Sequence, residues 1–248
     1  MNGPFATTTV NSTGPSGSYT AVQPSMLGQN GVKHPIATWG NGITTTPATY
    51  PQLLSAIASN GFVIIASNST SVTAQNMTDG LDWMIQQNSM SGPYQGKLDT
   101  KCLVTIGYSL GGGASVTAGS HADVYATVSF HGVQGSAQNL HSPLLLFTST
   151  GDTFVSASGF VTPTFTASVV QTFYATLTGG SSAGDNGHLT PIGNAGPERA
   201  PAIAWLRLWV YGDQNARSYF YGPSATLCAT PWSCQSKMAG AMPKMSGF

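Results

Sequence analysis

Short apolar runs and helix-like stretches alternate along most of the chain. "PIATWG" (35–40) and "GFVIIASNS" (61–69) are continuous apolar runs bounded by turn residues, the pattern of buried strands. Between them, "PATYPQLLSAIASNG" sets Leu53, Leu54 and Ile57 at helical spacing and closes on Gly61. A second helix is expected over 73–89, where Met77, Leu81, Trp83 and Met84 mark one face. Four more strands follow at 102–107, 125–130, 143–149 and 170–177, and a late helix rich in Trp and Leu spans 198–212. Strand–helix alternation of this kind predicts a mostly parallel sheet with helices on both faces. Without an internal repeat or a dividing linker, residues 1–248 are expected to form one α/β domain. The Thr/Ser/Gly-rich tract 7–18 reads as an extended arm or edge strand before it. Trp83, Trp205 and Trp209 lie on helix faces and are expected in the core.

Between the strands at 125–130 and 143–149 only ten residues, Val133 to Ser142, are available. That leaves no room for an inserted cap, so a site on this sheet is expected to be open.

Charge changes the picture of partners. Only 6% of residues are charged, against roughly 25% in average proteins, and eight basic and eight acidic residues balance. No basic patch is available for nucleic acid. No apolar run approaches the ~20 residues of a membrane helix. A weakly charged, hydroxyl-rich surface suits an uncharged or insoluble target, although a lineage bias in composition produces the same pattern. The opening "MNGPFATTTVNSTGPSGSYTA" has no basic start or apolar h-region, so no signal peptide is expected in this chain. Cys228 and Cys234 flank "ATPWS", and a disulfide there is expected, which favours an oxidising compartment. Cys102 falls in an apolar run and reads as buried and inert.

The chemistry centres on "VTIGYSLGGGAS" (104–115), in which Gly107-Tyr108-Ser109-Leu110-Gly111 is a G-x-S-x-G pentapeptide between a strand and a helix. Glycines two before and two after the serine clear space around a strained turn that exposes its hydroxyl. Gly112, Gly113 and Ala114 let the helix pack close to the sheet. A serine needs a base held by an acid, in the chain order Ser, acid, His for this kind of sheet. Of the five histidines, only His188, in "SAGDNGHLTPIG", follows the last strand. The acids between are Asp123, Asp152 and Asp185. Asp152, just past "PLLLFTSTG", sits at a strand's carboxyl end and is the expected acid, with Asp185 as fallback. An oxyanion needs two backbone donors. Leu110 is one. Asn41, in "WGNGITTTP", is the expected second because Trp39-Gly40-Asn41 fits a His-Gly-X form, with Ile43 as the alternative.

With these residues in place, the chain resembles the α/β-hydrolase superfamily, and within it bacterial cutinase-like polyester hydrolases, including poly(ethylene terephthalate) hydrolases. "HPIATWGNG", "LLSAIASNGFVIIASNST", "GKLDTKCLVTIGYSLGGGAS", "SPLLLFTSTGDTFV" and the C-terminal cysteine pair carry the likeness. It implies an α/β-hydrolase fold without a cap, Ser109 as nucleophile, Asp152 as acid and His188 as base. It also implies that Tyr108 and Leu110 flank the nucleophile in the acyl cleft. His131 stands where such hydrolases usually carry an aromatic, and Trp39 precedes the oxyanion glycine; both are expected as substrate walls. The expectation is a secreted, monomeric carboxylic ester hydrolase of polyesters, cutin-like polymers or short-to-medium acyl esters. No metal or organic cofactor is required for that chemistry. A lipase or acyltransferase with the same three residues, or a non-catalytic binding protein on this scaffold, are the alternatives.

Overall fold

The computed structural model describes residues 2–179 and 187–237. Six strands run parallel through the middle of the sheet: β3 (His34–Gly40), β4 (Val63–Ser67), β5 (Leu98–Tyr108), β6 (Val124–Phe130), β7 (Leu144–Ser149) and β8 (Thr172–Leu177). Their spatial order is β4-β3-β5-β6-β7-β8. Both faces of a parallel sheet are covered, so its strands are apolar almost without a break. Along β5, Val104 and Ile106 point to one side and Leu103 to the other.

Two helices, α1 (Pro51–Ser59) and α5 (Arg199–Tyr211), cover the first side, where Leu53, Leu54, Ile57, Trp205 and Trp209 pack on Val104 and Phe147. On the second side, α2 (Ala74–Ser89) buries Leu81 and Met84 against Ile36 and Leu103, with Trp83 half-buried at the margin. α2 starts at Ala74, one residue inside the expected boundary, with Thr73 as its cap: the Thr73 hydroxyl accepts the Asn76 N–H, and the Asn76 side chain accepts the Thr73 N–H. Beside α2 lies α3 (Leu110–Ala118), directly after β5. A short helix, α4 (Thr162–Ala167), precedes β8.

Six strands and an arm or edge strand over 7–18 were expected, and the described residues form a sheet of nine. The three additional strands are antiparallel and sit at the edges. β1 (Thr7–Thr13) pairs with β2 (Tyr19–Pro24), which pairs with β4; β9 (Trp232–Lys237) pairs with β8. Edge strands face solvent, so β1 and β9 lack an apolar run. β2 is buried throughout but carries polar residues that find partners: Gln23 accepts from Tyr94 Oη at 2.7 Å, and Thr20 Oγ1 donates to Asn68 at 2.8 Å. Between β6 and β7 there is only a short turn at Ala137–Asn139, and no cap covers the sheet there. Cys228 and Cys234 form a disulfide with Cα atoms 4.9 Å apart. Cys102 is buried, and burial followed by the Asp99 charge pushes its thiol up to about 12.

Candidate active site

β5 ends at Tyr108 and α3 begins at Leu110, so Ser109 alone makes the turn between them. Its φ of 56° is a left-handed backbone that costs a non-glycine residue roughly 1–3 kcal/mol. The surroundings hold it there. The Ser109 N–H donates to the Phe130 carbonyl at 2.9 Å, and its own carbonyl accepts from Gly112, Gly113 and Val133. Two glycines are required by close approach. A methyl group on Gly107 would collide with the Gly111 carbonyl, and one on Gly111 with the Gly40 carbonyl.

The loop after β7 brings Asp152 to this turn, and the segment before α5 brings His188. His188 Nε2 lies 3.0 Å from Ser109 Oγ, and His188 Nδ1 lies 2.8 Å from Asp152 Oδ2. Asp152 Oδ1 accepts from the Phe154 and Val155 N–H groups at 3.0 and 2.9 Å. Burial raises the Asp152 carboxyl, but hydrogen bonds from His131, His188 and the Val155 N–H outweigh it and hold the group well below the usual carboxylate range. Asp123 is at the opposite end of the sheet, 3.2 Å from Lys101, and Asp185 lies outside the described residues. His34 is tied to Gly61, and His121 pairs with Asp82.

A cavity of about 530 Å³ opens beside Ser109. Its walls are Gly42 to Thr45, Tyr108, Leu110, Val133, Phe154, Val155, His188, Leu189 and Ile192. Ile43 and Phe154 are 60% and 64% exposed, an apolar rim around a hydroxyl. The Tyr108 ring lies 5.1 Å from that of His188. Burial, then Tyr50, Asp152 and Glu198, push its phenol well above its ordinary value.

Two expected substrate-wall roles, those of Trp39 and His131, are corrected by this geometry. Trp39 is no substrate wall: it is fully buried against Tyr50 and Phe130, and its indole N–H donates to Asn41 Oδ1. Asn41 lies beneath the cleft rather than in its wall. Its side chain holds Trp39 and the Ser67 carbonyl, and its own carbonyl accepts the Gly111 N–H. The cavity wall at this loop runs from Gly42 to Thr45, and among the described residues no partner is found for the N–H of Asn41, Ile43 or Leu110. His131 is also buried; its Nδ1 lies 2.8 Å from Asp152 Oδ2 and its Nε2 2.8 Å from Glu198 Oε1. Sequence reasoning missed Glu198, which reads as an ordinary acidic residue at a helix start, and Phe154, whose exposure has no local signature.

Could the cluster hold a cation? His131, Asp152 and His188 each bring a potential ligand atom within 4.8 Å of one another. The ring nitrogens that meet there point their hydrogen bonds at the same Asp152 oxygen, so a cation would have to displace both. The donor set is arranged for proton-mediated contacts, not for a metal ion.

A parallel sheet of this order, closed by antiparallel edges and carrying a serine on the sharp turn between a central strand and its helix, defines an α/β-hydrolase fold. A family model described as PET hydrolase-like matches residues 1–238, and the chain belongs to that family. It is accordingly a carboxylic ester hydrolase. No curated protein matches the chain.

Proposed function

We propose that the protein is a secreted serine hydrolase that cleaves polyesters and related apolar acyl esters through an acyl-enzyme. The observation that carries this reading is the unbroken hydrogen-bond chain from Ser109 through His188 to Asp152 in the wall of an open apolar cavity. Ser109 Oγ attacks the ester carbonyl carbon while its proton passes to His188 Nε2. The Ile43 and Leu110 N–H groups stabilise the oxyanion that forms. The tetrahedral intermediate collapses, the C–O bond to the alcohol breaks, and His188 returns the proton to the leaving alkoxide. Water then attacks the acyl-enzyme with His188 again as base, releasing the acid and restoring Ser109. Asp152 fixes the His188 tautomer and balances the imidazolium charge.

The rim of Ile43 and Phe154 with Tyr108 behind it supports an apolar acyl or polymer segment, and the shallow, uncapped access supports a long chain or a surface. A disulfide and a sparsely charged surface support an extracellular setting. Treating the protein with a serine-reactive phosphonate and mapping the adduct tests the reading. Labelling at Ser109 is expected, and Ser109→Ala should lose p-nitrophenyl ester hydrolysis by on the order of 10³-fold or more. Full activity in Ser109→Ala overturns it.

A further inference from the structure

Two buried side chains that this mechanism does not use lie directly behind it. His131 has no solvent exposure and sits between two carboxylates, Asp152 on Nδ1 and Glu198 on Nε2, each at 2.8 Å. Glu198 is also fully buried, and its Oε2 finds no hydrogen-bond partner among the described residues. The backbone of His131 has φ 46°, a costly conformation for a bulky residue, and its N–H is held by the Phe147 carbonyl at 2.9 Å. An apolar pair of equal volume would fill this space without desolvating charge. A strained, charged arrangement aimed at the reacting acid points to function instead.

We propose that His131 is a positioning residue held as an imidazolium by Glu198, extending the hydrogen-bond chain to Ser109–His188–Asp152–His131–Glu198. Both ring nitrogens face carboxylate oxygens, and an imidazole donates from both only when it is protonated. One positive charge between two negative ones leaves the group with a net charge of minus one. Asp152 Oδ2 thereby faces two imidazoles while the Phe154 and Val155 N–H groups hold Oδ1, and Glu198 restores the negative charge that the His188 imidazolium needs as Ser109 is deprotonated. The groups facing His131 are Asp152 from the loop after β7, Glu198 from the start of α5 and His188 with ring centroids 5.8 Å away; Tyr108 from β5 feels the same two carboxylate charges. Burial alone would lower the His131 pKa; the Glu198 charge and the hydrogen bonds to Asp152 and Glu198 outweigh it and raise it to about 9.

The inference rests on the serine-hydrolase reading, and its test separates the two. In wild-type protein, ¹⁵N NMR of the histidine rings should show His131 with both ring protons at pH 7. Glu198→Gln should convert it to the neutral form. On a soluble p-nitrophenyl ester, Glu198→Gln should lower kcat on the order of tenfold with KM little changed, and Glu198→Asp should recover part of the loss. The wild-type kcat should fall as pH rises through about 9, and this limb should be absent in Glu198→Gln. A neutral His131 in wild-type protein at pH 7, or a Glu198→Gln variant with wild-type kcat and pH profile, overturns the proposal. If Glu198→Gln does not fold, the wild-type spectrum decides alone. Absence of phosphonate labelling at Ser109 instead overturns the hydrolase reading, whatever the protonation of His131.

Discussion

His131 and Asp152 share one hydrogen bond whose two ends respond to pH in opposite directions. The His131 pKa is raised in the folded chain, to about 9 against roughly 6.5 when unfolded. Its contribution to stability is therefore fully present below about pH 6.5 and is lost as the pH rises through about 9. The Asp152 pKa is depressed. Its contribution is present above roughly pH 4 and is lost as the pH falls through its lower folded value. Calorimetric melting should show highest stability between these limits and an alkaline decline worth of order 3 kcal/mol. His131→Asn should be less stable at neutral pH and should lack that decline. A melting midpoint that stays flat from about pH 6 to about pH 10 would contradict the assignment.

Elements set the position of the proposed nucleophile through contact between backbones. α3 approaches β3 so closely that Gly111 sits on the Gly40 carbonyl. Gly111→Ala must push the helix away, with an expected loss of about 1–3 kcal/mol in denaturant unfolding and a lower kcat, because Ser109 moves with the helix. At the far edge of the sheet, β9 covers β8, and Ala175 is paired with Cys234. Opening the Cys228–Cys234 bridge by Cys234→Ser should cost about 2 kcal/mol on the chain-entropy argument. Thermal unfolding with and without reductant checks this: the wild-type midpoint should fall to that of Cys234→Ser, and that of the variant should not move.

For the whole molecule, charge is nearly absent and the apolar rim of the cleft is exposed. Eight basic and eight acidic residues give a net charge of zero. Adsorption to a polyester should then depend on apolar contact. Film hydrolysis should change less than about twofold between about 10 mM and about 500 mM salt. Phe154→Ala removes the most exposed ring of the rim. It should lower product release from a film at least about threefold more than turnover of a short soluble ester. Equal losses on both substrates would place Phe154 outside any polymer contact.

Much of this arrangement was legible from local pattern. The apolar runs mark the six parallel strands because both faces of such a sheet are buried, and the spacing of Leu53, Leu54 and Ile57 marks α1. Gly107 and Gly111 announce the turn at Ser109, since its geometry excludes a side chain at either position. With so few histidines and acids, chain order left His188 and three acids, and the strand end before Asp152 favoured it over Asp185. The β1 edge was legible only as an arm or edge strand over 7–18, and the β9 edge carried no apolar run to mark it, because solvent does not demand one there. Trp39 looks functional in sequence, but only the register of β3 between β4 and β5 decides that it is buried. The contact of Glu198 with His131 spans 67 residues and joins the end of β6 to the start of α5. By itself the sequence determined which segments are buried and which turn presents a serine, because those depend on neighbours along the chain. Tertiary structure alone decided which side chains stand behind Asp152 and which line the cleft, because such contacts depend on how distant elements meet.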